Sequence, residues 1–340
     1  MKLAVSVVIP TYNRAPYLSR VLDALERQDV PAGTFEVIVT DDGSTDGTAS
    51  VLAKTTGYPL IAVTQPNAGP AAARNAAIER ASGDIVLFID DDVIPAPDLV
   101  RQHLRAHAAS SGVVIGRMAM PDDARQPVWA EWEGRTLQRQ YEQMLAGVFV
   151  PTPRQFYTAN ASVQRADLVR AGLFDTAFRR AEDVELAYRL EDLGLRFHFV
   201  PDAVVTHDTP RSLSGWMRMA EQYGTYDVAM WRDRGRGHIL SNVSEEFHLY
   251  RKRAIRITSR VAVGRPPIML CAKITARLAI RGLSAVGARR SALAVCSMSF
   301  NLLYLDAVCR ALGGRAAFWS MMQRELLDLP AESTAPSHSS

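Results

Sequence analysis

Three consecutive carboxylates, Asp90-Asp91-Asp92, follow the uncharged run Ile85-Val86-Leu87-Phe88-Ile89. That run has the composition of a parallel strand buried on both faces. Carboxylates crowded just past a strand's carboxyl end repel one another unless a cation holds them. In an open α/β sheet this edge is also where ligands bind. A hard divalent cation with carboxylate ligands, beside a phosphate, is the economical chemistry here. An acidic solvated turn is the plain alternative, since aspartate is common in turns. A second acidic pair, Glu182-Asp183, precedes Leu186, Leu190 and Leu193 at helical spacing. Asp183 then falls in the first turn of a helix, where free backbone N–H groups favour the ionised carboxylate that a general base needs. A helix-capping acid is the alternative there.

The elements that must position these acids are legible upstream. Val5 to Ile9 reads as a strand that runs into the polar loop Pro10-Thr11-Tyr12-Asn13-Arg14. Tyr17, Leu18, Val21, Leu22 and Leu25 then repeat at helical spacing. Phe35 to Val39 is a second strand, ending in Asp41-Asp42, and Thr45 or Asp46 would cap the helix that follows. A third strand, Leu60 to Val63, leads through Asn67 and Gly69 into an alanine-rich helix that carries Arg74 and Asn75. Four strands alternating with helices make a wound parallel sheet. One edge of it collects Thr11, Tyr12, Arg14, Asp42, Asn67, Arg74 and the three aspartates, as in a nucleotide crevice. No GxGxxG follows the first strand and no GxxxxGK[ST] occurs, which argues against dinucleotide oxidoreductases and P-loop enzymes.

Four stretches in order carry a resemblance: Ser6 to Arg14, Thr40 to Thr48, Asn67 to Pro70 with Ala73-Arg74-Asn75, and Phe88 to Asp92. Together they resemble the family 2 glycosyltransferases of the GT-A fold, over about 60% of the chain, from Val5 to His207. The resemblance implies an α/β, GT-A type architecture: a wound, mostly parallel sheet flanked by helices. It implies inverting transfer from a nucleotide-diphosphate sugar donor to a hydroxyl acceptor, glycan or lipid-linked, with Mg²⁺ or Mn²⁺. Carried over residue by residue, Pro10, Thr11, Tyr12, Arg14, Asp42, Asn67, Gly69, Arg74 and Asp91 would contact substrate. Asp90, Asp92 and His207 would hold the metal, Glu182 an acceptor hydroxyl, and Asp183 would be the base. A nucleotidyltransferase can share the broad fold, but it would want a glycine-rich basic loop where Pro10 to Pro16 has one arginine and no glycine.

Elsewhere the pattern loosens. A helix is expected near Pro97 to Ala109 and a strand near Val113 to Arg117, then Trp129, Trp132, Tyr141 and Phe149 among charges. Those aromatics either face an acceptor sugar or pack a helix on the sheet. Two strands are expected at Phe197 to Val200 and Ala203 to Thr206. Trp216, Met217, Met219, Tyr223, Tyr226 and Trp231 mark a helix that could cover the acceptor cleft. Three scattered cysteines without zinc spacing point to reduced thiols and a cytoplasmic setting.

Charge is strongly divided. Residues 251–320 hold 13 Lys or Arg against one acid, Asp306, a net of +12, whereas the rest of the chain carries −9. Such a block expects an anionic partner. The uncharged run Ser291 to Leu305, 15 residues, is short for a bilayer-spanning helix. With Phe300, Leu302, Leu303 and Tyr304 between Arg281, Arg289, Arg290 and Arg310, it fits a helix in the plane of an anionic membrane surface, on the cytoplasmic face. The alternatives are a helical appendage packed on protein and, less favoured, nucleic-acid binding by a non-catalytic GT-A-like protein. The expected organisation is a catalytic domain over 1–210, a basic helical extension over 211–328 and a disordered tail over 329–340.

Overall fold

The computed structural model describes residues 3–121, 126–178, 180–207 and 211–327. The tail expected to be disordered, 329–340, lies outside them. The chain divides into two compact units, 1–210 and 211–340.

The first unit is built on an eight-stranded mixed sheet. Its elements are β1 (Val5–Thr11), α1 (Ala15–Leu25), β2 (Phe35–Asp41), α2 (Thr48–Leu52), β3 (Leu60–Thr64), α3 (Pro70–Arg80), β4 (Ile85–Ile89) and β5 (Val93–Pro95). They continue with α4 (Leu99–Ala109), β6 (Val113–Ala119), α5 (Val128–Leu145), β7 (Asn160–Gln164), α6 (Arg165–Arg170), α7 (Glu182–Asp192) and β8 (Phe197–His207). The strand order is β3-β2-β1-β4-β7-β6-β8-β5. β1 pairs in parallel with β2 and β4, and β2 with β3. Beyond β4, β7 enters antiparallel to both β4 and β6, while β8 runs parallel to β6.

β1, β2 and β4 are buried along almost their whole length because both faces are covered, whereas β3 at the sheet edge is only partly buried. Val5, Val7, Ile9, Leu87 and Ile89 join one core with Leu18, Val21 and Leu25 of α1. Val8, Ile38, Val86 and Phe88 point the other way, to Ala71, Ala77 and Ile78 of α3. The chain winds from β1 outward to β3 and returns to β4 on the other side of β1. This reversal opens a crevice at the carboxyl ends of β1 and β4, where Pro10–Arg14 and Asp90–Asp92 emerge.

Two expectations are corrected. The strands expected at Phe197 to Val200 and Ala203 to Thr206 are one strand, β8, which pairs with β6 on both sides of an irregularity. Gly116 faces Val200 and Arg117 faces Val204, so residues 201–203 loop past the ladder, where Pro201 has no N–H to offer it. Pro97 precedes α4, which begins at Leu99. Tyr141 serves the core: it is buried, its ring stacks on Phe199 at 5.0 Å, and its hydroxyl accepts the Met118 N–H at 3.2 Å.

The second unit is helical: α8 (Leu213–Arg234), α9 (His238–Glu245), α10 (Arg253–Ala262), α11 (Pro266–Ala285), α12 (Arg289–Ala311) and α13 (Arg315–Leu327). α8, α10, α11 and α13 all pack on α12. Gly224 of α8 lies so close to the Tyr304 carbonyl that a Cβ there would collide with it. α12 is the one described helix long and apolar enough to cross a membrane, and 61% of that window is buried within the protein. Leu302, Leu303, Leu305, Val308 and Cys309 are all core residues. These apolar residues of the expected interfacial segment pack on neighbouring helices, which is the alternative of a helical appendage packed on protein. Trp216 and Met217, expected to cover a cleft, are likewise fully buried, Trp216 lying 5.5 Å from the Phe300 ring.

Candidate active site

The crevice floor is made by loops that hold one another. Asn13 sits in the left-handed region at φ 54°. Its N–H donates to Ser44 Oγ at 2.8 Å and its Oδ1 accepts the Thr45 N–H at 2.7 Å, which ties the loop after β1 to the loop after β2. Asp42 is buried and accepts from Gln65 Nε2 at 2.7 Å, the Ala68 N–H at 2.8 Å and the Gly69 N–H at 2.8 Å. Gly69 has φ 94°, a conformation a side chain would strain, and it opens α3. Asp42 was expected to contact substrate, but these bonds give its carboxylate to the 65–69 loop. Thr11 is similarly committed: its buried hydroxyl donates to Asp91 Oδ2 at 2.7 Å. Tyr12, 48% exposed, and the exposed Asn67 remain open to a ligand.

The three aspartates are held by guanidinium groups. Arg14 pairs with Asp92 and lies 3.5 Å from Asp91 Oδ1. Arg74, on the first turns of α3 and buried, donates from Nη2 to Asp90 Oδ1 at 2.9 Å and from Nη1 to Glu182 Oε1 at 2.8 Å. Burial is the main cause that pushes the Asp91 carboxyl up to about 7, against the Thr11 bond and Arg14. Arg74 was expected to touch substrate. In the structure it clamps the end of β4 to the start of α7, and its Nε is buried without a hydrogen-bond partner. Asn75 makes the same connection, donating to the Phe174 carbonyl at 2.8 Å and accepting the Phe174 N–H at 2.9 Å.

Asp183 lies in the first turn of α7, as its spacing predicts. Its Oδ1 accepts the Val184 N–H at 2.8 Å. The expected ionisation is corrected in direction. The side chain keeps some solvent access, yet burial, then the like charge of Glu182, pushes its carboxyl up to about 7 despite the helix start and Arg74. A carboxyl near neutrality suits proton transfer better than one deep in the acid range. Ala181, just before α7, has φ 56°, a strained conformation for a residue with a Cβ and one that sets the angle at which Glu182 and Asp183 leave the backbone. Tyr157 is a neighbour that sequence reasoning missed. Burial pushes its phenol up to about 12 against the pull of Arg154, and the charge of Asp183 adds to the rise.

Asp90, Asp92 and His207 bear on a divalent cation. Asp90 keeps a third of its side chain exposed and one oxygen free of Arg74. Asp92 Oδ1 lies 3.9 Å from His207 Nε2, and His207 Nδ1 is buried without a hydrogen-bond partner. Two carboxylates and an imidazole are a donor set that Mg²⁺ or Mn²⁺ accepts. Among the described residues no three acidic, histidine or cysteine side chains gather into a complete shell. A cation shared with a diphosphate does not need one, since phosphate oxygens and water supply the remaining positions. A hollow of about 670 Å³ lies elsewhere, at the amino-terminal edge of β1 and β4 beside Asp84, His107, Arg165 and Arg170. It holds none of the acids described above.

The glycosyl transferase family 2 pattern matches residues 6–169. The uncharacterized glycosyltransferase YfnE of Bacillus subtilis (strain 168) is 32% identical over 252 residues, 59% of this chain and 64% of YfnE. Validoxylamine A glucosyltransferase of Streptomyces hygroscopicus subsp. jinggangensis (strain 5008) is 35% identical over 219 residues, 56% of this chain and 52% of that protein. The chain thus spans less than two thirds of either relative's length. Among solved structures, the mannosyltransferase PcManGT from Pyrobaculum calidifontis, in complex with GDP-Man and Mn²⁺, has a TM-score of 0.61 at 24% identity, covering 90% of this chain and 87% of that one. S. aureus TarS 1-349 in complex with UDP-GlcNAc has a TM-score of 0.51 at 20% identity, covering 92% and 93%. At these identities the likeness is one of fold, and that fold is GT-A. The match over residues 6–169, the relatives and the fold together make the chain similar to glycosyl transferase family 2.

Proposed function

We propose that this protein transfers a sugar from a nucleoside-diphosphate donor to a hydroxyl acceptor, with inversion at the anomeric carbon. The observation that carries the reading is the Arg74 clamp. It joins Asp90 at the end of β4 to Glu182, the neighbour of Asp183, at the start of α7. Asp90, suited to a cation on a diphosphate, and Glu182, the neighbour of the acid suited to proton transfer, thus share one buried guanidinium. The named ligands of the solved relatives by fold, GDP-Man with Mn²⁺ and UDP-GlcNAc, support a nucleotide-sugar donor.

In this reading Tyr12 and Asn67 face the nucleoside, while Asp42 and Thr11 set the loops around it. Asp90, Asp92 and His207 would hold Mg²⁺ or Mn²⁺, whose charge would offset that of the diphosphate leaving group. Asp183 accepts the acceptor's hydroxyl proton as its oxygen bonds to the anomeric carbon. The bond from that carbon to the diphosphate breaks, and the nucleoside diphosphate leaves. A single displacement of this kind inverts the centre, through a transition state with oxocarbenium character. Burial raises the proton affinity of Asp183 toward neutrality, and the carboxylate of Glu182, held beside it by Arg74, adds to the rise.

The test is release of nucleoside diphosphate from a panel of nucleotide sugars, with and without Mn²⁺ or Mg²⁺. Slow hydrolysis of one donor, lost with chelator, supports the reading. Absence of both release and donor binding across the panel overturns it in favour of a binding protein with a GT-A fold.

A further inference from the structure

The basic character of the second unit is concentrated on a face that its core does not use. α11 runs for 20 residues, and only Met269 and Ile280 of them are buried. Leu270, Ile274 and Leu278, spaced at i, i+4 and i+8, form one outward row and are 61%, 49% and 65% exposed. Cys271 is exposed beside that row. Ile257 and Val261 are exposed on α10, and Val286 at the end of α11. Single exposed apolar residues are ordinary, but a row along a helix beside others on the preceding helix marks a contact surface. Residues 251–290 contain eleven Lys or Arg and no acid. Of these, Lys252, Arg253, Arg260, Arg281 and Arg290 are exposed and have no carboxylate partner among the described residues.

We propose that the α10–α11 face seats on the surface of an anionic lipid bilayer, as a peripheral contact on the cytoplasmic leaflet. Leu270, Ile274 and Leu278 enter the boundary between headgroups and acyl chains, and the arginines meet the lipid phosphates. Charge selects this occupant. A second copy would set one acid-free basic face against another, and nucleic acid would answer the arginines but leave the leucine row in water. The contact differs from one made by α12, whose apolar residues are buried. It is independent of the sugar-transfer reading, so either can fail without the other.

The test uses the full chain and vesicles of phosphatidylcholine with or without phosphatidylglycerol. Cys271 offers a native labelling site, because Cys296 and Cys309 are buried. An environment-sensitive dye on Cys271 should shift to the blue with anionic vesicles and stay unchanged with neutral ones. Co-sedimentation with anionic vesicles should fall by about tenfold or more when Leu270, Ile274 and Leu278 are all replaced by Glu. It should also fall when Arg277 and Arg281 are replaced by Glu, and when salt is raised from about 0.1 M to about 1 M. Circular dichroism and donor binding, unchanged in these surface variants, show that the fold is intact. Equal binding to neutral vesicles, binding that survives the triple substitution, or dimerisation with no vesicle binding would each overturn the proposal.

Discussion

Two carboxyl groups of the crevice, Asp91 after β4 and Asp183 at the start of α7, share a feature: burial pushes both up to about 7. Their surroundings differ. Asp91 accepts the Thr11 hydroxyl on one oxygen and faces Arg14 on the other, so its lone pairs are spent within the protein. Asp183 receives, among the described residues, only the N–H of Val184, and it keeps partial access to solvent. Raised proton affinity therefore does not by itself identify a base. A base also needs an oxygen with nothing bound to it on the side where substrate arrives. Asp91 holds the loop after β1 in place, whereas Asp183 is free to exchange a proton.

That contrast can be broken by substitution, and the largest effect belongs to Asp183. Asp183→Asn should lower turnover by about 10²- to 10⁴-fold while calorimetric donor affinity stays unchanged. Next comes Asp92: Asp92→Ala should weaken metal-dependent donor binding by about tenfold or more and blunt the response of turnover to added Mn²⁺. A variant with the wild-type metal response would remove Asp92 from the cation site. Arg74→Met leaves Asp90 and Glu182 without their shared cation. It should cost about 3–5 kcal/mol of stability, read as a fall in denaturation midpoint. The smallest effect is expected at Asp91. Asp91→Asn keeps an acceptor for the Thr11 hydroxyl, so turnover should stay within about threefold of wild type. A loss at Asp91 as large as that at Asp183 would mean that the two carboxyls share the chemistry.

Much of the first unit was legible because burial on both faces writes unbroken apolar runs such as Val5 to Ile9 and Ile85 to Ile89. β7 was not, since Asn160 and Ser162 look polar in sequence. Buried, they are answered by histidines of α4: His103 contacts Ser162 Oγ at 2.7 Å and Asn160 Oδ1 at 2.9 Å. The types of the site residues were legible, but several of their partners were not. Glu182 lies 108 residues from Arg74, so no local pattern reveals that Arg74 binds protein. Asp42 and Thr11 were visible as polar residues at strand ends, with nothing to tell a loop anchor from a ligand contact. The packing of α12 was not legible for a related reason. A helix buried on most sides by other helices has the same composition as one buried in lipid. Only the packing of α8, α10 and α11 on it distinguishes the two.

The most direct test of the Asp183 assignment is the pH dependence of nucleoside diphosphate release, on whichever donor the panel identifies, in wild type and in Glu182→Gln. A base must be ionised to act, so wild-type turnover should fall as pH drops through about 7. Removing the like charge at Glu182 lowers the proton affinity of Asp183, so that limb should move to lower pH in the variant. A wild-type limb in the ordinary carboxylate range, or one that does not move in Glu182→Gln, would contradict the account.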